Sequence, residues 1–424
     1  IGDVDGTAAS NSGKGIKVTY SATLGDYDLS AESYLEIAAS QTLAGQLNLQ
    51  SNGELNISGS GEYTGDIALA GGKFSAVDDQ ELSGTLSVTA DSELSVASGY
   101  TLELSQSGGL SLGANTLTLS GGGSLESGGL TLNNSDSKLL LKSITVDSVS
   151  TSADNSGLDV DNNSTLTSLS VAHATPVSIA SGKTLSGAIT VTAGSIKLDE
   201  AGTLASTVSM SGGTLDADES MTLSGALSQS GSITIDVASG KTLTYSGAAL
   251  SLGAYTLTMS GEGRFSNSNA LDLNNASSKL LLSSSITVDS VSTSADNSGL
   301  DVDDDSTVTS LTVANTTPVS IASSITLSGG IAVTAGSIKL GEAGTLGSTV
   351  TMSGGKLDVD ETLTVSGALT QSGAIEIDVA EDKTLTYTGT AISLGANTLT
   401  LSGGGTLSNT NAFALNHADS KLKL

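Results

Sequence analysis

The sequence contains no cysteine and no tryptophan, only two prolines, and aromatic residues make up 3% of its 424 residues. The lack of cysteine excludes disulfides and thiolate metal sites. With so few aromatic side chains, the chain lacks the bulky residues that normally fill one large globular core. Its 52 glycines and its small, branched apolar residues favour many thin cores instead.

Positive charge is also scarce. Arg264 is the single arginine, and the formal net charge is −29. Nucleic-acid binding is thereby excluded, because it needs clustered cations that displace counterions from phosphate.

No run of 18 or more apolar residues occurs, so no membrane span is predicted. The sequence starts at Ile1 without a signal peptide, and we expect it to be a mature or trimmed piece of a longer product.

Long internal repeats are the strongest signal in the sequence. The segment SLGAN starts at Ser111, SLGAY at Ser251, and SLGAN again at Ser393, so the spacing is nearly constant. The segment Ile144–Asp161 recurs unchanged as Ile286–Asp303. We therefore divide the chain into divergent N-terminal coils over 1–110, block one over 111–250, block two over 251–392 and the start of a third block over 393–424.

A shorter period of about 20 residues lies inside each block. Runs such as TLTLS and SITIDV alternate apolar and polar side chains, which is typical of strands, and SGG and ASG clusters between them supply turns. This pattern predicts an all-β parallel β-helix, or β-solenoid, with about three short strands per coil of roughly 20 residues. A string of β-sandwiches is the alternative, but it would bring larger core aromatics and more proline-rich links.

Two segments carry a family resemblance. LGANTLTLSGGGSLES over Leu112–Ser127 and LGANTLTLSGGGTLSN over Leu394–Asn409 resemble the repeats of autotransporter passengers and of filamentous-haemagglutinin-like surface adhesins. The resemblance implies a right-handed parallel β-helix, export to a microbial cell surface, and a role in adhesion or matrix building. It transfers no catalytic residue.

Acidic pairs are the candidates for a binding site. Carboxylates two residues apart on a strand project from the same face, and Ca²⁺ prefers several oxygens at close range. The weak calcium candidates are Asp159, Asp161, Asp301, Asp303 and Asp305. The competing interpretation, an outward acidic strand that aids solubility, is favoured because the segment lacks the glycine and the glutamate of an EF-hand loop. No other cofactor is predicted.

The two histidines and the carboxylate pairs also bear on catalysis. His173 and His417 stand where a neighbouring block has Asn315 and Asn275, which predicts turn formers. Paired carboxylates can serve a polysaccharide-active enzyme, but that site needs one groove with a matched acid and base. Pairs duplicated along a regular repeat do not fit one active site, so we predict that the chain is not an enzyme.

Two classes of function follow from these observations. We expect an extracellular structural rod, a cell-surface filament, sheath or stalk subunit, which assembles head-to-tail; the alternative is a segment of a large adhesin that binds a host, sugar or surface ligand. A polysaccharide-active β-helix enzyme is a remote third class. Because solenoid ends need caps, self-association is predicted at Lys421, Leu422, Lys423 and Leu424. A specific ligand contact is predicted within 1–110, which holds five of the eight tyrosines.

Overall fold

The computed structural model describes residues 14–23, 25–29 and 32–424. The described residues form strands, turns and bends, and among them no helix is long and apolar enough to cross a membrane. Parallel strands stack as a β-solenoid of about 20 coils, with about three strands in each coil. The predicted all-β solenoid is confirmed.

The chain divides into two compact units, Ile1–Ser209 and Met210–Leu424. This boundary falls inside the block predicted over 111–250, so the compact units and the sequence repeats divide the chain differently. In each unit, the first strand of every coil belongs to one parallel sheet, here called the first sheet. The remaining strands of each coil form the other sides of the solenoid.

The strands of the first unit follow this plan. Its first-sheet strands are Lys14–Val18, Glu32–Ile37, Glu54–Ser58, Lys73–Ala76, Ser92–Val96, Thr116–Ser120, Lys138–Lys142, Gly157–Asn162, Ala174–Ile179 and Ser195–Leu198. The other strands are Ala22–Thr23, Tyr27–Leu29, Thr42–Ala44, Gln46–Gln50, Glu62–Tyr63, Asp66–Ala70, Gln80–Leu82, Leu86–Ala90, Thr101–Leu104, Leu110–Ser111, Ser124–Glu126, Leu130–Leu132, Thr145–Thr151, Ser164–Val171, Thr184–Val191 and Thr203–Leu204, and strand Thr207–Met210 ends on the first residue of the second unit.

The second unit has the same organisation. Its first-sheet strands are Thr214–Ala217, Ile233–Val237, Thr256–Ser260, Lys279–Leu282, Gly299–Val302, Thr317–Ile321, Ser337–Leu340, Lys356–Val359, Ile375–Val379, Thr398–Ser402 and Lys421–Lys423. The other strands are Met221–Leu223, Leu227–Gln229, Thr242–Tyr245, Arg264–Asn267, Leu271–Leu273, Thr287–Thr293, Ser306–Val313, Thr326–Val333, Thr345–Leu346, Thr349–Met352, Leu363–Val365, Leu369–Gln371, Thr384–Tyr387, Ile392–Ser393, Thr406–Asn409 and Phe413–Ala414.

Strand stacking follows directly from the alternating pattern. Strand Thr116–Ser120 pairs with Lys138–Lys142 in parallel, with Leu117 opposite Leu139 and Leu119 opposite Leu141. All four leucines are buried, while the residues between them face outward. A shift of one residue would move every leucine to the solvent side, so burial of one face sets the register.

Some coils replace two short strands by one long, bent strand. Thr184–Val191 is an example, and its bend lies at Gly187, where φ is +119°. A Cβ atom at Gly187 would lie 1.6 Å from the carbonyl oxygen of Leu166 on the preceding coil. Gly329 repeats this arrangement in the second unit, with φ of +117°. Both bends therefore require glycine, because neither the backbone angle nor the space admits a side chain.

The interior of each unit is a narrow column of Leu, Val, Ile and Ala side chains, as predicted. A few aromatic residues interrupt this column. The rings of Tyr245 and Phe265 stack in the second unit with centroids 5.9 Å apart. Tyr63, one of the five N-terminal tyrosines, is also fully buried. Its ring fills the core instead of the surface.

Candidate functional site

The calcium candidates lie on outer surfaces of two separate compact units. Asp159 and Asp161 stand on one strand of the first unit, and Asp301, Asp303 and Asp305 stand on and just after the equivalent strand of the second. Lysines of the preceding coil reach several of these carboxylates: Lys138 lies 3.3 Å from Asp159, Lys142 lies 3.7 Å from Asp161, and Lys279 contacts Asp301. Partly exposed ion pairs of this kind each contribute about 1 kcal/mol or less.

Asp303 and Asp305 follow the strand and have different surroundings. Asp303 is exposed, and its backbone N–H donates to the carbonyl of Leu282 at 2.9 Å. The Oδ1 atom of Asp305 accepts the backbone N–H of Thr326 on the next coil at 2.7 Å. Throughout the described residues, no group of three or more His, Cys, Asp or Glu side chains is arranged to hold a metal ion. Calcium binding at these aspartates stays a prediction.

The Asp305 contact belongs to a general corner arrangement. At many corners, an Asp or Asn side-chain oxygen accepts a backbone N–H from the following coil, 2.7 to 3.0 Å away. These pairs are Asp66 with Thr85, Asp79 with Thr101, Asp91 with Thr116, Asp154 with Ala174, Asn163 with Thr184, Asp296 with Thr316, and Asp305 with Thr326. Many acidic residues therefore fasten one coil to the next by satisfying a backbone donor.

The two histidines lie at turns between strands. In one equivalent turn of three blocks, the side-chain acceptors are Asn134 Oδ1, Asn275 Oδ1 and His417 Nδ1, which receive backbone N–H bonds at 2.9, 2.9 and 3.1 Å. His417 therefore takes the turn-forming role of the asparagine that it replaces. His173 Nδ1 lies 3.5 Å from Asp154 Oδ1, at the corner where Asp154 also accepts Ala174 N–H.

Lysines on the first sheet bridge carboxylates of adjacent coils. In the first unit, Lys73 Nζ lies 3.5 Å from Glu54 and 3.6 Å from Glu93, on the coils before and after it. The alternation of sign along this column offsets the repulsion that stacked carboxylates would otherwise produce. A related cluster occurs in the second unit, where a lysine joins a carboxylate of its own strand to one on the next coil.

Lys356 is the centre of that second cluster. It lies 3.2 Å from Asp358 and contacts Asp378 on the next coil. Partial burial acts to lower the pKa of Lys356, but hydrogen bonds with Asp378 and Asp358 outweigh it and raise the pKa. The hydrogen bond from Lys356 is the largest cause that lowers the pKa of Asp378, and a bond from Ser402 adds to it against partial burial. Both shifts favour the charged pair at neutral pH.

Buried tyrosine hydroxyls are structural features that the sequence patterns did not reveal. Tyr245 accepts the backbone N–H of Leu227 at 3.1 Å, and Tyr387 accepts that of Leu369 at 3.0 Å. Burial raises the pKa of Tyr245. Burial also raises the pKa of Tyr63, with a smaller contribution from Asp66. The recurrence of TLTY, which starts at Thr242 and again at Thr384, is the signal that could have identified the matched pair.

Surface hollows lie along the divergent N-terminal coils. One of about 450 Å³ is lined by residues that include Glu54, Lys73 and Glu93. Another of about 360 Å³ is lined by residues that include Glu81 and Glu103, which are directly opposite on adjacent strands. These hollows offer polar and charged groups to a ligand, and they lie where the sequence predicts a specific contact.

Three of the four predicted self-association residues form the last strand of the second unit, Lys421–Lys423, and Leu424 follows it. Strand Lys421–Lys423 pairs in parallel with Thr398–Ser402, with Leu422 opposite Leu399. Leu422 is half-buried and Leu424 is exposed. Association through these residues stays a prediction.

Comparison with known proteins identifies no relative of this chain. No protein-family description, no curated protein and no solved structure matches it.

Proposed function

We propose that this chain is an extracellular structural spacer of a microbial cell surface, in which tandem coils hold attached parts a set distance apart. The recurrence of the same coil-to-coil contacts from one block to the next carries the proposal. Lys241 pairs with Glu219 at 2.6 Å, and Lys383 pairs with Glu361 at 2.5 Å. Ion pairs that recur in equivalent positions stabilise the stacking of successive coils. Such repetition suits a spacer, in which the number of coils sets the length.

The charge of the chain supports an exposed location and a spacer role. A net charge of −29 keeps β-rich particles apart in solution and opposes side-by-side aggregation. The ion pairs and corner contacts compensate locally for this charge by joining neighbouring coils. The proposal includes end-to-end assembly through Lys421–Leu424, by which several chains would form a longer spacer.

Localisation is the first property to test. Antibodies raised against the second unit should label intact cells of the source organism, and mild protease treatment of those cells should remove the label. An antibody against a cytoplasmic protein is the control, since it should label cells only after permeabilisation. If the second-unit antibody also needs permeabilised cells, the spacer proposal is wrong.

An adhesin segment is the second candidate function, favoured by the hollows and by the exposed aromatic residues of the divergent coils. Tyr20 is 73% exposed and Tyr100 is 38% exposed. Exposed aromatic side chains beside polar groups suit a sugar or protein ligand. The purified chain and a Tyr100→Ser variant should be compared on glycan arrays and on host-cell surfaces. Selective binding that the variant loses would support the adhesin, and release of reducing ends from a bound polysaccharide would favour the enzyme alternative.

A further inference from the structure

We infer that residues 253–394 form a length cassette: a run of coils whose two end surfaces are interchangeable, so that its removal leaves matching surfaces in contact. The segment is one block long and lies wholly within the second unit. This inference concerns how the coils stack, and it holds whether or not the chain serves as a spacer.

The first observation is the strand register at the two ends of the cassette. Strand Ile233–Val237 pairs with Thr256–Ser260 at one end, and Ile375–Val379 pairs with Thr398–Ser402 at the other. The pairs have the same register: Ile233 with Leu257 and Ile235 with Met259 at the first end, and Ile375 with Leu399 and Ile377 with Leu401 at the second. The inward side chains on both sides of each contact are therefore of equal or similar size.

The second observation is the set of side-chain contacts that cross these two ends. Asn269 Nδ2 donates to the carbonyl of Gly247 at 2.8 Å, and Asn411 Nδ2 donates to that of Gly389. The corner that follows each end matches as well, although its contact does not cross the end: Gly253 N–H donates to Asn274 Oδ1 at 2.9 Å just inside the cassette, and Gly395 N–H donates to Asn416 Oδ1 at 3.0 Å just beyond it. Donor and acceptor thus recur together at each end.

Removal of the cassette joins Leu252 to Gly395 and restores the sequence SLGA at the junction. The coil that begins at Ile233 then stacks on the coil that begins at Thr398. This new neighbour presents inward and corner residues equivalent to those of the coil that begins at Thr256, which it replaces. The main loss is the stacking of Tyr245 on Phe265, because Leu407 stands in the equivalent position. A leucine keeps the apolar contact without the aromatic pair.

Removal of whole coils is not enough by itself, because coils within a block differ. Deletion of 256–316 also removes whole coils, but it brings Tyr245 against the continuous strand Thr326–Val333. That strand has no asparagine to replace Asn267, which is opposite Tyr245, or Asn269. This shorter deletion retains more coils, so a lower stability of the product cannot come from its length.

The experiment compares three proteins: the full chain, the chain without 253–394, and the chain without 256–316. Circular dichroism and thermal unfolding should show that the first deletion keeps its β-sheet signal and unfolds within a few degrees of the full chain. The second deletion should unfold at a clearly lower temperature. If the cassette deletion is unfolded, or is no more stable than the control deletion, the inference is overturned.

A distance measurement checks that the coils rejoin as inferred. Because the chain has no cysteine, Thr214→Cys and Thr400→Cys can carry the only two spin labels. Removal of seven coils at about 4.8 Å each should bring these labels closer by about 34 Å. An unchanged distance, or a broad distribution of distances, contradicts the cassette even if the deleted protein is folded.

Discussion

Tyr245 and Tyr387 lie one block apart in the sequence and occupy equivalent positions in the core of the second unit. Each hydroxyl accepts a backbone N–H from the preceding coil and donates to a backbone carbonyl three residues along the chain. The hydroxyl thus satisfies two backbone groups at a corner where the strand ladder is interrupted. An apolar ring of the same size would fill the space but satisfy neither group.

Replacement of this hydroxyl should therefore destabilise the protein. Tyr387→Phe keeps the ring and leaves the N–H of Leu369 without its partner, so we expect a loss of about 1–3 kcal/mol in the free energy of unfolding. Tyr255→Phe is the matched control, since Tyr255 is exposed and should show little change. Urea unfolding of both variants measures the difference, and equal stability would show that the buried hydroxyl contributes nothing.

The buried tyrosines also predict an alkaline limit of stability. Burial raises the pKa of Tyr63 and of Tyr245 above the usual 10.0. The neutral hydroxyl is thus favoured in the folded state, so its contribution is fully present below pH 10 and is lost as the pH rises through the folded-state pKa. The free energy of unfolding, measured in urea from pH 8 to 12, should fall above about pH 10. The fall should be smaller in Tyr63→Phe, and a variant with an identical fall would contradict this assignment.

The ion pair of Lys356 and Asp378 predicts that part of the free energy of unfolding is lost at acid pH. The pKa of Asp378 is lowered from 3.8, so its stabilising effect is present above that value and is lost as the pH falls through the folded-state pKa. Asp378→Asn should lower stability at pH 7 by about 1 kcal/mol or less, because the pair is partly exposed. At pH 2 the variant and the parent should be equally stable. A difference that persists in acid would assign the effect to packing.

Asp305 allows its corner role to be separated from calcium binding. Its equivalent in the first unit is Asn163, which accepts the same kind of backbone N–H at 3.0 Å. Asp305→Asn should thus keep the corner contact, whereas Asp305→Ala should lose about 1 kcal/mol. If calcium binds here, it should raise the thermal midpoint of the parent but not that of Asp305→Asn. An equal rise in both proteins excludes Asp305 as a ligand.

Self-association at Lys421–Leu424 can be tested by electron microscopy of the purified chain, with and without calcium. End-to-end fibres are expected, because strand edges pair with other strand edges. A charged, proline-containing tail added after Leu424 should abolish them, while the same tail added before Ile1 tests whether the opposite end takes part. Fibres that persist with the tail at Leu424 would refute the assignment of these four residues.

Much of the fold was predictable because strand alternation is local. The alternation in Thr116–Ser120 is enough to predict which of its residues face inward, and the repeat spacing predicts that an equivalent strand follows. Turns are also recognisable from adjacent residues. His417 stands where the earlier blocks have asparagine, and the residues around that position in the sequence indicate a turn. These features depend on a few adjacent residues and on the repeat period of the coils, and both can be read directly from the sequence.

The alternating pattern and the repeat spacing thus determined by themselves that this chain is a parallel β-solenoid with a thin aliphatic core. Only the tertiary structure decided that Tyr63 is buried, that Asp159 meets Lys138, and that Asp305 caps the following coil. Each of these depends on which residue of the neighbouring coil comes within a few ångströms. That neighbour is about 20 residues away, and its position follows from turn lengths and register that no local pattern specifies.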